Sequence, residues 1–175
     1  MCPRARGADV NTDKVYLVGF MTAGKSTVAR ALAARLDWLL FDLDLEIEAR
    51  ERKAVAEIFA TRGEAYFREL EREALARLVS VRHAVVATGG GTFVDPLNRA
   101  AILADGCSFW LDVTFNEVVA RLPQDGRRPL AANRAQMEVL FHTRRAAYQH
   151  AHVRIDASVA AVDAIVEEIL DRLGW

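Results

Sequence analysis

Apolar residues along the chain gather in short β-rich runs, separated by longer stretches whose apolar positions recur at helical spacing. The runs fall at 15–18, 39–41, 84–87, 107–111 and 153–155 and predict five strands. Helical stretches cover 25–36, 44–80, 96–104, 116–122, 135–150 and 159–173. Strand and helix thus alternate, which predicts an α/β fold, a five-stranded parallel sheet flanked by helices on both faces. Two segments break the rhythm. The helical excursion at 44–80 is long enough to form a small lobe between the second and third strands. Segment 123–134 puts two prolines, a glycine and three arginines into a polar loop with few core candidates, and reads as a lid. There is no internal repeat and no interdomain linker, so 1–175 is expected to be one domain.

Composition narrows the class. A chain of 175 residues is one domain's worth and buries roughly 70% of its unfolded surface. With 52% hydrophobic and 27% charged residues it belongs among folded globular proteins rather than disordered ones. A formal net charge of -1 gives no electrostatic reason to expect nucleic acid or an anionic membrane as partner, so any basic site must be local. Cys2 and Cys107 form no framework and suit a reducing compartment, with Cys107 expected in the core. Residues 1–14 contain no apolar segment of the signal-peptide kind, and charges interrupt every hydrophobic run before it reaches the ~20 residues that cross a bilayer. The expectation is a cytoplasmic protein without a membrane partner.

The first chemical signal follows the first strand. Gly19-Phe20-Met21-Thr22-Ala23-Gly24-Lys25-Ser26-Thr27 fits G-x-x-x-x-G-K-[ST], the phosphate loop that opens a helix. In such a loop the backbone N–H groups of Thr22 to Thr27 surround phosphates, Lys25 reaches the β and γ oxygens, and Ser26 ligates magnesium. The following helix adds its amino-terminal dipole, which favours anions. A mere glycine turn would need none of this context. The loop alone does not separate a kinase from a GTPase, an ATPase or a nucleotide sensor. Against a GTPase, a guanine-reading Asn-Lys-x-Asp is absent, and the one Asp-x-x-Gly, at 171–174, comes too late for a switch loop.

Three further places carry candidate chemistry. Asp42 and Asp44 flank the end of the second strand and would face the same way if the extended chain continues through Asp44. Asp42 would then help to hold hydrated magnesium and Asp44 would accept a hydrogen bond from a substrate hydroxyl at the sheet's carboxyl edge. The alternative is that Asp44 caps the next helix. Thr88-Gly89-Gly90-Gly91 follows the third strand, either as a flexible turn or as a place where missing side chains let a ligand approach the backbone. Arg68, Arg144 and Arg145 lie in helical stretches and Arg127 and Arg128 in the lid; each is either solvated and locally paired or recruited to a carboxylate or phosphoryl group.

Taken in order, these motifs resemble those of the shikimate kinases, small P-loop kinases built like nucleoside monophosphate kinases. The likeness runs from about Tyr16 to Asp156 through Gly19 to Thr27, Phe41-Asp-Leu-Asp-Leu-Glu-Ile-Glu48, Gly63-Glu64, Phe67-Arg68, Thr88-Gly-Gly-Gly91, Arg128-Pro-Leu130, and Arg144 four residues before Tyr148. The resemblance implies a shikimate-binding lobe at about 44–80, a lid at about 123–134, ATP and shikimate as the two substrates, magnesium as cofactor, and a monomer. It assigns Lys25, Asp44 and Arg128 to catalysis, and Ser26 and Asp42 to magnesium. Thr22 to Thr27, Arg121 and Arg128 fall to ATP, and Asp44, Arg68, Gly89, Gly90, Gly91 and Arg144 to shikimate. Arg121 would form one wall of the adenine site. The chain departs from the pattern in having Arg145-Ala146-Ala147 where the family commonly has proline and leucine, so that Arg144 is chosen over Arg145 by spacing. Thr22 also stands where glycine is frequent, and 160–163 lacks an evident adenine-wall motif. The rival readings are a gluconate or nucleoside monophosphate kinase, and a catalytically silent nucleotide-binding partner.

Overall fold

The five apolar runs become five strands in the computed structural model, which describes residues 12–122 and 134–175. They are β1 (Lys14–Val18), β2 (Leu39–Asp42), β3 (Ala84–Ala87), β4 (Cys107–Asp112) and β5 (Val153–Asp156). They lie in the order β2-β3-β1-β4-β5, every neighbouring pair parallel. The central β1, β3 and β4 are buried at every position, whereas edge strand β2 is partly exposed and edge strand β5 alternates. This is why the central runs read as continuous rather than alternating apolar sequence.

Seven helices among the described residues connect and cover the sheet: α1 (Lys25–Leu36), α2 (Leu43–Glu51), α3 (Val55–Leu78), α4 (Pro96–Asp105), α5 (Phe115–Ala120), α6 (Arg134–Tyr148) and α7 (Val162–Leu173). Helix α1 packs on β3 and α7, and α4 on α3 and β4. No helix among the described residues is long and apolar enough to cross a membrane. One charged side chain is buried at the amino edge of the sheet. Lys14 Nζ lies 2.6 Å from Asp105 Oδ2, which also accepts from Tyr16 OH, and donates to Leu78 O, fastening the ends of α3 and α4 to β1.

The stretch 44–80 departs from the expectation of one helical excursion. Helix α2 stops where Arg52 turns left-handed at φ 53°, its N–H returning to Glu48 O. Helix α3 then bends at Gly63, whose φ of 80° and ψ of 171° belong to a region that only glycine enters readily. The carboxylate pair is corrected as well. β2 ends at Asp42, which is itself the cap of α2, its Oδ1 accepting from Leu45 N at 3.4 Å. Asp44 therefore is neither the cap nor a strand residue; it sits in the first turn of α2, where the helix dipole favours its negative charge.

Candidate active site

The parallel register brings the functional segments to one edge. Leu17 pairs with Ala87 on one side and Phe109 on the other, and Asp42 pairs with Ala87, so β1, β2 and β3 end side by side. Immediately beyond β1 the phosphate loop turns into α1 through Gly24, left-handed at φ 92°. Lys25 Nζ donates to Gly19 O and Phe20 O at 2.9 and 2.8 Å, which lays the ammonium across the mouth of the loop. Thr22 adopts φ 60°, a conformation unusual for a residue with a Cβ, and its hydroxyl donates to Val118 O of α5 at 3.2 Å. Ser26 Oγ donates to Asp42 Oδ2 at 2.5 Å. This couples the start of α1 to the end of β2.

Thr88 continues the β1 ladder by one residue, its N–H and hydroxyl both donating to Leu17 O, and the three glycines follow at once. None of the three needs a positive φ. At Gly89 and Gly91 the lack of a side chain is instead a matter of space that another side chain of the chain occupies, whereas at Gly90 a neighbour comes only to ordinary contact distance. A Cβ on Gly89 would stand 2.6 Å from Asp44 Oδ1, and one on Gly90 would stand 3.4 Å from both Arg144 Nη1 and Met21 N. One on Gly91 would overlap the Arg68 guanidinium. The run is thus a flat wall against which α2, α6 and α3 each lay one charged group.

Arg68 is held by its own helix, as local spacing allows. Its Nη2 lies 2.8 Å from Glu64 Oε1 and its Nη1 2.6 Å from Glu71 Oε2. Burial works against its charge, but the two carboxylates outweigh burial and raise its pKa above the ordinary value. Glu71 is fully buried and also accepts from Thr92 Oγ1. Tyr148 OH donates to Gly90 O at 2.5 Å. Burial pushes this phenol well above its usual pKa, while Arg144 and then Arg68 pull it down, so both arginines bear on one buried hydroxyl. The neighbouring Arg145 goes elsewhere, forming a two-pronged pair with Asp112 at 2.5 and 2.9 Å, over the faces of Trp110 and Phe141. Sequence reasoning gave no role to Glu71 or Asp112. The i+3 spacing of Glu71 from Arg68 was the only available signal for either.

A cleft of about 340 Å³ opens over these groups, lined by Thr22, Gly24, Lys25, Ser26, Thr27, Asp42, Asp44, Gly90 and Arg121 among others. Arg121 Nη2 donates to Ser158 O at 2.5 Å and to Ala157 O at 3.2 Å, bridging α5 to the turn after β5. Arg68, Arg144, Gly89 and Gly91 are gathered at the glycine wall rather than on the cleft lining. Arg128, with the rest of 123–133, lies outside the described residues.

The sequence profile of the family described as shikimate kinase matches residues 21–174. The chain belongs to the shikimate kinase family. A shikimate kinase of Persephonella marina is 40% identical over 160 residues, spanning 91% of this chain and 98% of its relative. The shikimate kinase from Acinetobacter baumannii in complex with shikimate superposes with a TM-score of 0.87 at 32% identity, covering 91% of this chain and 92% of that one. A gluconokinase from Sinorhizobium meliloti, at 14% identity and a TM-score of 0.61, shares the fold alone. The expectation of a five-stranded parallel sheet in a P-loop kinase is met.

Proposed function

We propose that this shikimate kinase transfers the γ-phosphoryl group of ATP to the 3-hydroxyl of shikimate, giving ADP and shikimate 3-phosphate. The observation that carries the reading is the glycine wall, because the two guanidiniums of Arg68 and Arg144 and the carboxylate of Asp44 lie along it next to the phosphate loop, which supports Arg68 and Arg144 as partners of an acceptor carboxylate and Asp44 as the partner of an acceptor hydroxyl. Two guanidiniums and a carboxylate suit a small acid bearing hydroxyls. Gluconate is also such an acid, and it is the family membership that favours shikimate over it.

In the reaction the acceptor oxygen attacks the γ-phosphorus in line, the bond to the β,γ-bridging oxygen breaks, and ADP leaves. Asp44 orients the hydroxyl and takes its proton as the new bond forms. Lys25 leaves its loop carbonyls for the β and γ oxygens and neutralises charge that grows on the transferring group. Arg128, carried by the lid, adds a second cation there. Ser26 and Asp42 offer a hydroxyl and a carboxylate that meet each other, a hard-oxygen donor pair that fits magnesium, whose remaining positions are commonly filled by phosphate and water oxygens. When bound, the ion would neutralise phosphate charge. Arg121 and the carbonyls it holds form one side of the adenine site. The family membership suits a monomeric biosynthetic enzyme of the cytoplasm.

The test is ADP release with magnesium and ATP, measured with shikimate, with gluconate and with neither. Turnover that depends on shikimate is expected. Equal turnover in all three would leave only an ATPase, dependence on gluconate would replace the acceptor, and no turnover would favour a silent nucleotide-binding protein.

A further inference from the structure

Tyr148 is almost wholly buried, its ring stacked obliquely on Trp110, and nothing in the phosphoryl-transfer scheme uses its hydroxyl. That hydroxyl donates to the carbonyl oxygen of Gly90 at 2.5 Å. The Gly90 carbonyl belongs to the same peptide unit as the Gly91 N–H. No peptide bond among the described residues is cis, so that N–H points away from Tyr148. A peptide plane between two glycines meets little steric resistance to rotation. The hydrogen bond therefore selects one of two easily exchanged orientations, at the centre of the wall where Asp44, Arg144 and Arg68 meet.

Tyr148 also stands four residues after Arg144 on α6, so the two side chains share a helix face. Arg144 Nη1 comes within 3.4 Å of where a Gly90 Cβ would be, on the side of Gly90 that also faces Met21 N of the phosphate loop. The phenol thus meets both halves of the acceptor apparatus, donating to the loop carbonyl and hydrogen-bonding with the Arg144 side chain. We infer that Tyr148 is a positioning residue for the acceptor, its hydroxyl fixing the direction of the Gly90–Gly91 peptide and seating Arg144 against it. This rests on the reading of Arg144 and the glycine run as acceptor ligands. It adds that their geometry is set by a third group that never contacts the reacting atoms.

The test is Tyr148→Phe, which keeps the ring packing and removes only the oxygen. Parent and variant are compared for the KM of each substrate and for the rise in melting temperature on adding shikimate or ADP. The expected result is a shikimate KM raised about tenfold, equivalent to about 1.4 kcal/mol and the size of one hydrogen bond. The ATP KM should stay within about twofold. The shikimate-induced thermal shift should shrink and the ADP-induced shift persist. A merely structural tyrosine would lower the melting temperature of the unliganded protein and leave both ratios unchanged, which overturns the inference. So does a parallel rise of both KM values. If the parent itself shows no shikimate-dependent turnover, the acceptor reading fails and this inference with it. If the parent responds and the variant matches it, only the inference fails.

Discussion

Replacing Gly91 by alanine puts a methyl group where the Arg68 guanidinium already lies, with the new carbon 2.6 Å from Arg68 Cζ. Carbon atoms in contact sit about 3.5–4.0 Å apart, so the guanidinium has to withdraw by roughly 1 Å. It is not free to do so without loss. Its Nη1 is 2.6 Å from Glu71 Oε2, and a retreat of that size stretches the contact to the edge of hydrogen-bonding distance. Glu71 is fully buried and, among the described residues, would keep only the Thr92 hydroxyl as a side-chain partner. A charged hydrogen bond contributes about 1.5–3 kcal/mol, so the variant should lose about 2 kcal/mol. For a chain of this length that is roughly 4–8 °C in Tm. The displaced Arg68 should raise the shikimate KM on the order of 10- to 100-fold, as loss of one charge-assisted contact does. ATP should bind as before, because neither Gly91 nor Arg68 lines the phosphate cleft. Thermal unfolding and a coupled ADP-release assay measure both effects. Parental Tm and parental shikimate KM together would refute the reasoning, and a lowered Tm with unchanged KM would make Arg68 a structural residue alone.

Asp44→Asn should reduce turnover by more than about 100-fold while ATP affinity, read by nucleotide titration, stays near parental, because the amide keeps the shape and loses the charge and basicity. A collapse of nucleotide affinity instead would assign Asp44 to the magnesium site. Arg144→Ala and Arg145→Ala should separate: the first raises the shikimate KM with little change in Tm, whereas the second loses the fork to Asp112 and lowers stability by about 1–2 kcal/mol, read as a lower Tm, with little change in KM. The reverse pattern would exchange their roles. His152 Nδ1 accepts the Ser108 N–H at 3.1 Å and so must lack a proton there, and burial holds the imidazole pKa below its ordinary 6.5. The unfolded chain therefore takes up the proton more readily. Stability from this group is complete above pH 6.5 and is lost as pH falls through 6.5 toward the depressed folded value. Denaturant unfolding from pH 8 to pH 5 should show a flatter profile for His152→Gln than for the parent, and coincident profiles would refute the assignment.

Most of the fold is legible in the sequence because burial writes a simple pattern. β3 and α1 coincide with their expected ranges, since four buried residues in a row and five buried positions at helical spacing leave little choice. The errors occur where a tertiary contact overrides local pattern. Lys14 does not look like a strand residue, yet it opens β1 because Asp105, 91 positions away, neutralises it. The break between α2 and α3 falls at Arg52, a residue type with no turn signature, which adopts φ 53°. Gly63 was visible as a glycine, but its backbone conformation was not.

The site was legible as a set of residue types and not as an arrangement, and the two arginine questions show why. For Arg68 the local and the functional readings exclude one another on paper, since an arginine paired with Glu64 looks already committed. In three dimensions the pairs with Glu64 and Glu71 hold the guanidinium against Gly91, so local pairing and the proposed role are compatible, the first orienting the group for the second. For Arg144 and Arg145, adjacency in sequence means a separation of about 100° around the helix, so the two cannot serve the same partner. One meets Gly90 and the other Asp112, and only the path of β4 past α6 determines which. The glycine run follows the same logic. The missing side chains of Gly89 and Gly91 make room for Asp44 and Arg68 while Gly90 lies against Arg144, three residues from three different helices, and no local spacing rule links a glycine to a side chain that the fold delivers from tens of residues away.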